Sequence, residues 1–207
     1  MTRRSSEDQV PRLFGTNGVR GVVNSEQMDS RFAVGLGMAI GTFMKGTVLV
    51  ATDARTSNEM LKSACVAGMM STGCEVLDLG IVPTPAIQYA VKRNRAAGGV
   101  MITASHNPPE FNGIKCIDPD GTEMARKNEE TIERIFHNGE FARAEWNHVG
   151  RVRPYHTAAA EYVEGIVATV DAQAIRNAGL RIAVDCGNGA GSFTTPMLLE
   201  RLGVKYV

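Results

Sequence analysis

The chain has 207 residues, 43% of them hydrophobic, and its 22 basic residues balance 22 acidic ones to a formal net charge of zero. That length can bury one full α/β domain and part of another. The neutral, scattered charge argues against a nucleic-acid partner, which calls for a basic patch, and no apolar run approaches the roughly 18 residues of a membrane span.

The amino terminus is polar and charged, without the apolar stretch of a secretory signal. Residues 1–12 therefore read as a disordered lead-in, and the protein as cytoplasmic. Four cysteines occur: Cys65, Cys74, Cys116 and Cys186. They form no C-x-x-C pair and lie near no histidine cluster, so reduced thiols are expected rather than zinc or disulfides.

From residue 13 the pattern alternates between strand and helix. Residues 19–23 form a short β-rich run. Asp29 or Ser30 can cap a helix reaching about residue 44, with apolar positions at Phe32, Leu36, Ala39, Ile40 and Phe43. Gly35, Gly37 and Gly41 weaken that helix, which suggests close packing against a sheet. A buried strand follows at 48–51. Ser57 can cap a helix over 58–71, with Glu59 near its positive end and Gly73 past its close. Residues 76–79 read as a strand, 85–93 as a helix opened by prolines, and 99–103 and 113–117 as strands. Residues 128–136 read as a helix. The alternation predicts an α/β fold: a mixed, largely parallel sheet with helices on both faces. A charged linker over 138–154 carries the sole tryptophan, Trp146. The pattern then restarts with a helix over 155–170, a strand over 180–184, a glycine-rich loop over 185–192, a helix over 193–202 and a strand from 204. One β-α-β unit cannot bury both sheet faces. Residues 155–207 therefore read as an incomplete second domain, behind a first domain over 13–137, with exposed strand edges and little core.

Three motifs carry the chemistry. The first is Phe14-Gly15-Thr16-Asn17-Gly18-Val19-Arg20-Gly21. Its glycines permit close backbone approach to a ligand, and its arginine offers a planar fork for phosphate. Alone, it is better read as a glycine-rich turn. The second is Thr103-Ala104-Ser105-His106-Asn107-Pro108-Pro109, a proline-closed loop at the carboxyl end of a buried strand. In open α/β sheets that edge binds ligands, and a hydroxyl there can be a nucleophile or carry a phosphoryl group. Adjacent side chains seldom point the same way, which argues against His106 as the base for Ser105, although it can still touch a substrate. The third is Asn112-Gly113-Ile114-Lys115, whose lysine follows Ser105 across a tight turn and could stabilise charge or move a proton. Asp53 and Arg55 follow a strand and favour a loop-orienting role. The loop over 187–191 looks like a phosphate cradle at a helix start. It fits neither common nucleotide-binding fingerprint, so a tight strand-to-helix turn is the better reading.

Taken together and in this order, the three motifs resemble the α-D-phosphohexomutases: the phosphoglucomutase, phosphomannomutase and phosphoglucosamine mutase family. The segment from Val184 to Gly191 looks like the start of that family's second domain. The resemblance covers the chain from about Leu13, and the motif forms are most similar to the phosphoglucosamine mutase branch. It implies that Ser105 carries a phosphoryl group and exchanges it between the 1 and 6 positions of a glucosamine, glucose or mannose phosphate. It assigns catalytic parts to Ser105, His106, Lys115 and Arg20, and substrate contacts to Thr16, Asn17, Arg20, Asn107 and Lys115. It also implies Mg²⁺, held here only through the phosphate on Ser105, and a hexose bisphosphate activator.

Two departures stand out. Thr52 occupies a position where family members often carry arginine, which weakens any direct ligand role for Asp53 and Arg55. The family's magnesium loop, sugar-reading loop and later phosphate-binding loop have no counterpart here. Mg²⁺ usually needs carboxylates besides phosphate oxygens. The expectation is thus an incomplete enzyme, inactive by itself, whose partners are a hexose phosphate and the missing domains of the same enzyme. The alternative is a non-catalytic phosphosugar-binding or interaction fragment. A serine-dependent phosphatase is a weaker third reading.

Overall fold

The computed structural model describes residues 12–15 and 18–207. The disordered lead-in expected over 1–12 thus lies almost wholly outside the described residues, as do Thr16 and Asn17. Six strands form one sheet: β1 (Val19–Val22), β2 (Thr47–Thr52), β3 (Glu75–Ile81), β4 (Gly98–Ile102), β5 (Phe111–Ile117) and β6 (Val152–Pro154). Their order across the sheet is β1-β5-β4-β2-β3-β6. Strand β5 runs antiparallel to both its neighbours and every other pairing is parallel, so the remaining five strands share one direction. The mixed, largely parallel sheet is as the alternation predicted.

The helices are α1 (Ser30–Met44), α2 (Asn58–Ser71), α3 (Thr84–Asn94), α4 (Arg126–Asn138), α5 (Ala158–Val167), α6 (Ala172–Asn177) and α7 (Thr195–Arg201). They cover both faces. Val48, Val50, Val76, Val100, Ile102 and Ile114 point to one face and join Leu36, Ile40, Leu61 and Ile132 of α1, α2 and α4. The alternate residues Leu49, Ala51, Leu79, Met101 and Ile117 point to the other and join Ile87 and Val91 of α3 and Ala158 of α5. The period-two alternation of each strand thus builds two separate cores. Burial pushes the Cys65 thiol up to about 12 and raises that of Cys116 as well, so both thiols are neutral packing groups.

Asp29 caps α1 as expected, its carboxylate accepting from the Phe32 N–H at 2.7 Å. The glycines of α1 serve a different contact from the one expected. A Cβ on Gly37 would lie 2.2 Å from the carbonyl oxygen of Cys65, and one on Gly68 would lie 2.3 Å from that of Val34. Those glycines let α1 and α2 pack backbone to backbone on one face of the sheet; the close approach is helix on helix, not helix on sheet. Ser57 also departs from expectation. It makes no cap bond to α2 and instead accepts from the Asn112 side chain at 2.8 Å.

The segment read as a linker over 138–154 contains β6, which pairs with β3 in parallel register. Its three residues, Val152, Arg153 and Pro154, are exposed and too short to show a strand period. The helix expected over 155–170 is shorter, ending at Val167, and Asp171 then caps a new helix, α6, by accepting from the Gln173 and Ala174 N–H groups. Helix α5 docks on α3: Glu161 accepts from Arg93 at 3.0 Å, Tyr155 at 2.7 Å and Thr157 at 2.7 Å. Burial would raise the Glu161 pKa, but those three bonds outweigh it and hold the carboxyl below the ordinary range. Beyond α5 lie two short parallel strands, β7 (Arg181–Ile182) and β8 (Lys205–Tyr206), with a small core of Leu199, Leu202 and Val204. The helix expected over 193–202 is a 3₁₀ turn, Ala190–Phe193, followed by α7, with Pro196 in its first turn. No helix among the described residues is long and apolar enough to cross a membrane.

The α1–α2 contact yields the first prediction. Gly37→Ala improves helix propensity yet overpacks a backbone contact, so it is expected to cost about 2 kcal/mol or more. Thermal and urea melts that show no loss would contradict the packing described.

Candidate functional site

The register between β2 and β4 sets the site. Thr52 lies opposite Ile102, so Asp53 and Thr103 emerge side by side at the carboxyl edge. The chain leaves β2 for β3 on one side and β4 for β5 on the other. A crevice therefore opens between the two strand ends, where open α/β sheets bind ligands.

Asp53 fills the base of that crevice. One carboxylate oxygen accepts the Thr103 hydroxyl at 2.6 Å, and the other accepts the Arg55 N–H at 3.0 Å and the Asn58 amide at 2.8 Å. Arg55 then turns over the serine loop. Its Nη1 donates to the carbonyls of Pro108 at 2.8 Å and Phe111 at 2.9 Å, and its Nη2 to those of Ser105 at 3.0 Å and Asn107 at 2.6 Å. Its Nε faces Asp53 at 3.3 Å. A guanidinium so engaged has few donors left for a ligand. The loop-orienting role expected for this pair is the one seen. Asn112, fully buried, extends the network by donating to Ser57 and Asn58, both at 2.8 Å. It was singled out in sequence only as a neighbour of Lys115.

Held in this way, Ser105 adopts a left-handed backbone with φ of +56°. Such a conformation is uncommon for a residue with a Cβ and is held by its surroundings. Its N–H donates to the Thr103 hydroxyl at 2.9 Å. The side chain is exposed, and Oγ lies 3.4 Å from His106 Nδ1. The left-handed turn swings the two neighbouring side chains to the same side, contrary to the usual behaviour of adjacent residues. Arg20, on β1, reaches the loop from the far side, with Nη1 at 3.5 Å from Asn107 Oδ1. Gly113 makes room for it: a Cβ there would lie 3.0 Å from Arg20 Cγ and 2.7 Å from the Thr103 oxygen.

A cavity of about 660 Å³ opens over the loop. Ser105, His106 and Asn107 form one wall, Pro83 and Thr84 contribute from the start of α3, and Gly187, Asn188, Gly189 and Ala190 form the facing wall. The glycine-rich segment is thus a strand-to-helix turn, as expected, and it also faces Ser105. Lys115 is placed differently. It is buried on β5, its Nζ is 2.5 Å from a Glu123 carboxylate oxygen, and it is not among the residues lining the cavity. Ser105, His106 and Asn107 are therefore brought together on the cavity wall. Arg20 joins them only through Asn107 and, like Lys115, is not among the lining residues, and Lys115 is held to one side by Glu123.

A family model for phosphoglucomutase/phosphomannomutase alpha/beta/alpha domain I matches residues 11–143, and one for domain II of that family matches residues 160–207. The chain belongs to the phosphoglucomutase/phosphomannomutase family. A Thermococcus kodakarensis protein called phosphoglucomutase/phosphomannomutase is 46% identical over 95% of this chain and 44% of its own length. A phosphopentomutase of the same organism is 42% identical over 95% of this chain and 42% of its own length. A Sulfurisphaera tokodaii phosphoglucosamine/phosphogalactosamine mutase is 41% identical over 94% of this chain and 43% of its own length. The crystal structure of a phosphoglucomutase/phosphomannomutase family protein from Burkholderia thailandensis superposes with a TM-score of 0.79 at 27% identity, covering 94% of this chain and 43% of that one. The chain thus spans less than half the length of the curated relatives it matches.

The family resemblance implied Mg²⁺. Among the described residues no three His, Cys, Asp or Glu side chains are grouped to hold a metal ion. Asp53, the carboxylate in the cavity wall, already accepts from Thr103, Arg55 and Asn58. The described residues do not by themselves make a magnesium site.

Arg55→Lys keeps the charge but removes the fork that grips four carbonyls. Amide hydrogen exchange over residues 103–111 is expected to rise about tenfold or more, each lost charge-assisted bond counting for roughly 1.5 kcal/mol or more. Exchange in α1 and α2 should stay as it is. Unchanged exchange in the loop would show that Arg55 does not hold it.

Proposed function

We propose that this chain carries the phosphoserine part of a sugar-phosphate mutase, with Ser105 as the group that is phosphorylated. The observation that carries the proposal is the left-handed Ser105, exposed at the cavity wall while Arg55 and Asp53 immobilise the backbone around it. A hydroxyl held rigidly and left open is suited to repeated gain and loss of a phosphoryl group.

In this scheme the Oγ–P bond of phosphoserine breaks as a P–O bond forms to a hydroxyl of a hexose phosphate. The proton of that hydroxyl leaves with the exchange, and His106, near Oγ, is placed to accept or relay it. The bound bisphosphate turns over, and its other phosphoryl group returns to Ser105 by the reverse bond changes. A hexose bisphosphate charges the serine in the first place, the part that the resemblance implies for an activator of that class. Phosphoserine carries a charge of about −1.5 to −2, and Arg20 offsets it from the far side of the loop. Lys115 would act only once its bond to Glu123 is exchanged for one to substrate. No step here is routed through a metal, because the described residues group no carboxylates to hold one.

The relatives' names span hexose, amino-sugar and pentose phosphates at similar identity, so sugar choice is open within that class. A second reading, a non-catalytic phosphosugar-binding module, is favoured by the absence, among the described residues, of grouped carboxylates to hold a metal.

The test is a coupled mutase assay with glucose 1-phosphate, glucosamine 1-phosphate and ribose 1-phosphate. It uses the chain alone and the chain mixed with the remaining part of the Thermococcus kodakarensis relative. Turnover in either arm should fall at least about a thousandfold in Ser105→Ala, the scale of losing a covalent nucleophile. Sugar-phosphate binding without turnover in both arms would favour the binding module. Turnover that survives Ser105→Ala would remove the serine from the mechanism.

A further inference from the structure

The wall facing Ser105 contains two residues that the fold alone does not explain. Gly187 is accounted for by its backbone, with φ of +56°. Gly189 is not: its φ is −82°, and the nearest atom that a Cβ there would meet is the Cys186 carbonyl oxygen, 3.3 Å away. Neither a left-handed backbone nor a severe clash demands glycine at 189. What remains is the open side of the residue, in the cavity that Ser105 also lines.

Asn188 stands beside it with φ of +55°. Asparagine tolerates that conformation better than most residues, but glycine serves it equally well. Its side-chain amide is exposed in the cavity wall and bonds to no other described residue. The ionic groups opposite are already engaged, Arg55 by four carbonyls and Asp53 by Thr103, Arg55 and Asn58. The nearby Asp185 carboxylate is bonded to the Gly187 N–H at 2.8 Å. Thr56, Thr84 and His106 offer other side-chain donors in the cavity lining, and Asn188 adds to them a neutral amide without a partner among the described residues, placed to meet a phosphoryl group that enters.

We propose that Asn188 is a substrate-contacting residue. Its side-chain amide donates to a phosphoryl oxygen of the bound sugar phosphate, and Gly189 leaves that group room to approach. The inference rests on the cavity being a sugar-phosphate site, and its test separates the two.

The measurement is calorimetric titration of the 207-residue chain with glucose 1,6-bisphosphate, with a thermal melt for each variant. Asn188→Gly keeps the left-handed turn and removes the amide. It is expected to bind at least about tenfold more weakly with an unchanged melting temperature. Asn188→Asp places a carboxylate against phosphoryl oxygens and should bind more weakly still. Gly189→Ala, which leaves the Asn188 turn alone, should also weaken binding without lowering the melting temperature. Wild-type affinity in Asn188→Gly would overturn the proposal and leave the sugar-phosphate site standing. So would an Asn188→Asp that binds no worse than Asn188→Gly, because no phosphoryl oxygen would then be near. Absence of binding by the wild-type chain would overturn the cavity assignment and this inference with it.

Discussion

The grip of Arg55 on the serine loop is the constraint on which the site depends. Four carbonyl oxygens, from Ser105, Asn107, Pro108 and Phe111, converge on one guanidinium. A loop that turns its carbonyls inward offers them few backbone partners, the Phe111 N–H on the Pro108 carbonyl being one, and carbonyls left short of donors are costly once shielded from water. The arginine supplies the missing donors with a planar fork, and Asp53 fixes the fork and the Thr103 hydroxyl together. The same arrangement holds the left-handed turn at Ser105. Strain at that residue is thus offset by bonds that do not involve its Oγ, which stays open to the cavity.

That constraint reaches back into the fold. Asp53 and Thr103 are neighbours only because β2 and β4 pair in parallel with Thr52 opposite Ile102. The pairing is buried on both faces, and the α1–α2 pair over one face is drawn tight by Gly37 and Gly68. Asn112 ties β5 to Asn58 at the start of α2, so three elements meet behind the loop. Precise placement of this kind comes from rigid elements and a supporting layer of bonds rather than from the loop itself.

Much of this was legible in the sequence, and the exceptions share a cause. Helices with a cap and a clear apolar period, such as α1, were placed to within a residue. So was the direction of most strands, because strand–helix alternation admits few topologies. Strand β6 was hidden, since three exposed residues carry no periodic signal and only the edge of β3 recruits them. Asp171 was overlooked as a cap because the helix it opens, α6, has only six residues, too few to show an apolar period. In the site, motif composition pointed to Ser105, His106 and Arg20, and local chemistry suggested the supporting part of Asp53 and Arg55. The bond between Lys115 and Glu123 was not legible, because it depends on the path of the chain after β5. Nor was the meeting of the segment over 187–190 with Ser105, which depends on how α5 and the elements after it pack on the first sheet.

The central claim is that Ser105 is the residue that holds the phosphoryl group. The most direct measurement is tandem mass spectrometry of the chain after incubation with glucose 1,6-bisphosphate, mapping any added phosphate to its residue. The account predicts a single phosphate, on Ser105 and on no other hydroxyl of the serine loop. Phosphate on another residue, or a chain that stays unmodified when a full-length relative is phosphorylated alongside it, would contradict the account.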